Sequence, residues 1–62
     1  MLRPMSDFMF IDNDSGEEFF VECFSLNEAW KIAIETFGED ADLEFIDEYT
    51  IREAEEIGLD TY

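Results

Sequence analysis

Carboxylates are almost the whole chemical vocabulary of this chain. Eighteen Asp and Glu stand against Arg3, Lys31 and Arg52, there is no His, and the single Cys23 lies inside an apolar run. Nucleophilic catalysis needs a Ser, Cys or Thr beside a base, or an activated Lys, and this composition does not supply such pairs. Paired carboxylates can do acid–base work, but only where a cleft raises the pKa of one of them. A chain of 62 residues can hardly enclose such a cleft. The chain therefore reads as a non-enzyme, with no catalytic residue and no cofactor expected.

Two arrangements of acids stand out by spacing. Asp12-Asn13-Asp14-Ser15-Gly16-Glu17 places oxygen donors at alternate positions, as a hard cation requires, so Asp12, Asp14 and Glu17 form a candidate ion loop. The spacing departs from the EF-hand, which wants Gly at the sixth position and Glu at the twelfth; here Gly16 is fifth and Cys23 is twelfth. A hairpin turn is the simpler reading, and no metal is assigned. Glu39, Asp40 and Asp42 form a second acidic group, whose affinity for divalent ions would be weak and incidental. The other arrangement is a set of evenly spaced acids, visible only once the elements that carry them are placed.

The clearest element runs from Ser25 to Gly38. Ser25 and Glu28 make a capping box, and Gly38 can take the left-handed conformation after the last turn. At about 100° per residue, Ala29, Ala33, Leu26, Phe37, Trp30 and Ile34 fall on one face, and Ile32 falls off it. Upstream, Phe8-Met9-Phe10-Ile11 and Phe19-Phe20-Val21-Glu22-Cys23-Phe24 flank the turn-forming stretch 12–17 and predict a β-hairpin. Downstream, residues 42–49 alternate, with Leu43 and Phe45 one way and Glu44, Ile46 and Glu48 the other, which predicts a third strand. Thr50 and Glu53 repeat the capping box, and Gly58 marks the stop of a short second helix. Residues 59–62 follow as a tail, docked by Leu59 and Tyr62.

The expected fold is a single α+β domain over residues 1–62, in the order β-β-α-β-α. Its three-stranded, mainly antiparallel sheet has spatial order 2-1-3, with the long helix packed on one face and a short C-terminal helix. Trp30, Phe37, Val21 and Phe45 should form the core. The opposite sheet face, with Met9, Ile11, Phe20, Phe24 and Ile46, is either covered by the second helix or left open as a dimer or partner surface.

On these strands, where alternate residues are about 6.7 Å apart, Glu18 with Glu22 and Glu44 with Glu48 form evenly spaced anionic rows, the members of each pair two such repeats apart. Glu53 and Glu56 sit one helical turn apart on the second helix, with Glu55 beside them. These acids are the candidate partner-binding set, with Phe20, Phe24 and Ile46 as apolar contacts. The net charge of -15 exceeds what solubility asks of a small domain, about 2–8. It would repel nucleic acid and anionic membranes, so the expected partner is basic. Treated as a sphere about 27 Å across, the protein matches the roughly 16 charges of an equal length of duplex DNA. The lone Cys23 is expected to be a reduced, buried thiol, which fits a cytoplasmic compartment. The first residues hold no apolar segment long enough for a signal peptide.

In size and charge the chain resembles the small phage-encoded inhibitors that act as DNA mimics, including anti-CRISPR and anti-restriction proteins. That resemblance implies a compact acidic protein that blocks the basic nucleic-acid-binding groove of a nuclease or CRISPR effector in the bacterial host cytoplasm. The alternatives are a small acidic adaptor or homodimeric interaction domain, and a weak divalent-cation-binding module centred on residues 12–17.

Unpaired acids at this density repel one another. Added salt should therefore raise the melting temperature by screening, and calorimetric melts across a sodium chloride series check this directly. A melting temperature that falls with salt would mean that attractive contacts or bound cations, rather than repulsion, dominate the acids.

Overall fold

The computed structural model describes residues 5–62; Arg3 and the rest of the N-terminal stretch screened for a targeting signal lie outside the described residues, apart from Met5. The elements are β1 (Ser6–Asp12), β2 (Glu17–Cys23), α1 (Leu26–Phe37), β3 (Leu43–Tyr49) and α2 (Ile51–Ile57). The sheet is antiparallel throughout, in the order β2-β1-β3. Among the described residues, no helix is long and apolar enough to cross a membrane.

Local chemistry sets the boundaries. The 12–17 connection is closed by the Gly16 amide on the Asp12 carbonyl at 2.7 Å, with Gly16 at φ 74°. The Asp12 carboxylate accepts the Asp14 amide at 3.0 Å, forming an Asx turn that needs no ion. Ser25 caps α1 by accepting the Glu28 amide at 3.3 Å, and the Glu28 carboxylate reaches back to the Phe24 amide at 3.3 Å. Thr50 caps α2 in the same way, accepting the Glu53 amide at 3.2 Å and donating its hydroxyl to the Glu53 carboxylate at 3.1 Å.

Two apolar layers sandwich the sheet. On the α1 face, Phe8, Phe10, Phe19, Val21 and Cys23 pack against Ala29 and Ala33. The small alanines let the helix backbone approach, while Trp30 and Phe37 reach down its flanks. Trp30 meets Phe10 edge-on with ring centroids 4.8 Å apart, and Phe37 meets Phe19 at 4.3 Å. The expected core is corrected here: Val21 is fully buried, but Trp30, Phe37 and Phe45 form a half-buried rim around Phe10 and Phe19. The helix is also rolled from its expected setting. Ile32 packs on the core and Ile34 is exposed, because the buried line runs through Ala29 and Ala33 and leaves Ile34 at the far flank.

On the second face, α2 closes over Met9 and Phe20 with Ala54, and Tyr49 and Leu59 complete the cluster. This face is covered. The tail then runs parallel to the outer edge of β2: the Phe20 amide donates to Asp60, the Tyr62 amide to Phe20 and the Glu22 amide to Tyr62, at 2.8, 2.8 and 3.1 Å. The Tyr62 ring meets Phe19 and Phe37 edge-on.

β3 carries a bulge. Phe10 lies opposite Phe45 and Met9 opposite Asp47, which leaves Ile46 as the extra residue. The bulge reverses the facing of everything after it.

Phe10 is fully buried and touches the rings of Phe19, Trp30 and Phe45. Phe10→Ala should cost about 3–5 kcal/mol, enough to unfold most of the population, whereas Trp30→Ala should cost distinctly less. Urea titrations of the two variants by circular dichroism test this ranking; equal losses would contradict it.

Candidate functional site

The predicted partner-binding acids are all exposed, and of the two expected rows only Glu18 with Glu22 stays on one face. Glu18 lies opposite Ile11, and Glu22 opposite Asp7, so these two share the α2 face of the sheet. Glu44 also lies opposite Ile11, but Glu48 lies opposite Phe8. Phe8 and Ile11 are three residues apart on β1 and point to opposite faces. The Glu44–Glu48 row is therefore split by the Ile46 bulge, a feature that strict alternation cannot register.

What the fold brings together is a different set. α2 lays Glu53, Glu55 and Glu56 over the sheet face that carries Glu18 and Glu22. Glu53 is engaged in its own helix cap, which leaves Glu55 and Glu56 the freer pair. Of the apolar candidates, Phe24 and Ile46 are exposed, at 43% and 41%. Phe20 is corrected: it is fully buried beneath α2, edge-on to Tyr49 at 5.7 Å, and is not a surface contact of this molecule. Ile51 and Ile57, at helical spacing with the buried Ala54, are exposed beside the α2 acids.

The acidic loop at 12–17 holds its shape through internal hydrogen bonds, and among the described residues no group of three acidic or thiol side chains is placed to hold a metal ion. A groove of about 380 Å³ lies between the start of the sheet and α1, lined by Met5, Glu22, Cys23, Glu28, Lys31, Ile32 and Glu35. Its thiol is inert. Burial pushes the Cys23 pKa up, and the Sγ donates to the Ser25 carbonyl at 3.2 Å.

One acid escaped the sequence reading. Asp7 is only 2% exposed, and its Oδ1 has no hydrogen-bond partner among the described residues. Burial is the main cause that raises its pKa, and the charges of Glu22 and Glu55 add to it. The signal was present, because Asp7 alternates with Met9 and Ile11 on a face that had to be apolar if α2 covered it. Comparison with protein-family models, curated proteins and solved structures found no match.

Because the folded state holds the Asp7 proton more tightly than the unfolded chain does, ionised Asp7 opposes folding. The full penalty applies above the raised pKa and is lifted as pH falls through it toward the ordinary aspartate value. Asp7→Asn should therefore stabilise the protein near neutral pH, on the order of 1 kcal/mol, or about 4–8 °C in Tm for a domain of this size. It should also flatten the rise in stability toward acid pH. Thermal melts of both proteins across a pH series check the sign; a variant less stable than the parent at neutral pH would show that the carboxylate is held by a favourable contact.

Proposed function

We propose that this protein is a non-enzymatic acidic inhibitor, of the phage-encoded anti-CRISPR or anti-restriction type. It occupies the basic nucleic-acid-binding groove of a nuclease or CRISPR effector. The observation that carries this reading is the display of a net charge of -15 on a slab of 37 × 23 × 15 Å. Fifteen charges along 37 Å amount to one per about 2.5 Å, between the 1.7 Å of duplex DNA and the 3.4 Å of a single strand. The spherical estimate overstated the match to duplex, since the molecule is longer than a sphere of its mass. The density still lies within the range that nucleic-acid grooves are built to accept.

The mechanism is competitive. Carboxylates take the places of phosphates against Lys and Arg, so the complex weakens as salt rises, as nucleic-acid binding does. Exposed Phe24, Ile46, Ile51 and Ile57 lie among the acids and supply contact area that salt does not screen.

The test begins with recovery of partners from a bacterial lysate on the immobilised protein, eluted by a salt gradient. The recovered protein should lose its labelled nucleic acid when the inhibitor is added. Reversal of Glu18, Glu55 and Glu56 to Lys should weaken the complex by about tenfold or more, equivalent to about 1.4 kcal/mol. Reversal of Glu35, Glu39 and Asp40 should have a much smaller effect; Glu28 and Glu53 are spared because they hold helix caps. The reading fails if the partner binds its nucleic acid at full affinity in the complex, or if no basic protein is retained at low salt.

A further inference from the structure

The two outer edges of the sheet are treated differently. The outer edge of β2 is closed by the chain itself, through the backbone hydrogen bonds of Asp60 and Tyr62. The outer edge of β3 has no strand beside it among the described residues. A strand paired on one side directs alternate N–H and C=O groups outward, which makes such an edge a template for another strand. Two amides of β3 are held within the chain: Leu43 donates to the Ala41 carbonyl at 3.1 Å and Glu48 to the Asp47 carboxylate at 2.8 Å. An added strand takes over these amides by displacing the two local acceptors.

The side chains around this edge decide which strand can add. Glu44, Ile46, Asp47 and Glu48 are all exposed on β3. The bulge at Ile46 places Glu44 and Glu48 on opposite faces of the sheet, so an incoming strand meets carboxylates on both of its faces. A second copy of this chain would bring the same acids and a further net charge of -15 to the contact. Directly opposed like charges disfavour strand pairing, and opposite charges favour it. The edge is thus closed to self-association by charge and complementary to a basic segment.

We infer that the open edge of β3 accepts an extended, Lys- or Arg-rich segment of the partner as an added strand, joined by backbone hydrogen bonds along residues 43–49. This rests on the basic-partner reading above and names the manner of engagement. The backbone supplies direction and register, and Glu44, Asp47 and Glu48 select for positive charge.

Two peptides as long as β3 distinguish the possibilities: one alternates Lys and Val, and the other has the same sequence with every backbone amide N-methylated. Both carry the same charge, but the second has no amide to donate from either edge. Titrated into the isotopically labelled protein at low salt, the unmodified peptide should shift the amide resonances of residues 43–49. It should also slow hydrogen exchange at the outward amides of β3, and bind about tenfold or more tightly than its methylated form. Glu44→Lys with Glu48→Lys should remove that binding. Equal affinity of the two peptides, or shifts confined to α2 and β2, would overturn strand addition while leaving a basic partner in place. If neither peptide shifts any resonance, strand addition and the attraction for basic segments fall together.

Discussion

The structure depends on the double burial of β1. This strand is paired along both edges and covered on both faces, with Phe8 and Phe10 under α1 and Met9 under α2. Every other element is held by reference to it. Three Phe rings, at positions 10, 19 and 20, are essentially inaccessible. Burying each is worth about 1.5–3 kcal/mol. A chain this small that carries a net charge of -15 needs such a concentrated interior, because its surface works against compaction. The aromatic strands and the acidic exterior are two sides of one arrangement.

That arrangement also fixes what the surface can offer. Each acid used in a cap or turn is partly spent locally: Glu28 and Glu53 on helix starts, Asp12 on its own loop and Asp47 on the amide that follows it. The remaining exposed carboxylates are spread over β2, α2, the edge of β3, α1 and the loops. Their distribution is not a regular ladder, since the bulge at Ile46 breaks the only long alternation that β3 could have provided. The surface is therefore defined by its total charge and its open edge more than by any repeat.

Much of the fold was legible because local signals agreed with one another. Both helices have a capping residue, a Glu three positions on and a terminal Gly, and the hairpin has its turn formers between two aromatic runs. The order 2-1-3 followed from connection rules. What was not legible depended on pairing between distant segments. The bulge is a register shift against β1, and no residue in 43–49 announces it. The parallel addition of residues 60–62 to β2 is a backbone contact without a side-chain pattern. The roll of α1 toward Ile32 arises from the neighbours of Ala29 and Ala33, not from the helix's own periodicity. For the same reason Phe20, apolar on an undecided face, was read as surface and proved to be interior, and Asp7 passed unnoticed on that face.

The cover over that face has a consequence for motion. α2 has only seven residues, too few to hold its helical form by itself. It keeps its shape through Ala54, the Thr50 cap and the tail strand that follows it. These parts form a contiguous flap at the end of the chain, anchored by few apolar contacts beside the α1 core. Partial opening of a native protein proceeds by such units. The cheapest excursion of this molecule is the lifting of the flap, which leaves β1, β2, β3 and α1 assembled. It wets Phe20 and Met9, and it also hydrates Asp7, so the ionised acid that strains the closed form lowers the cost of opening.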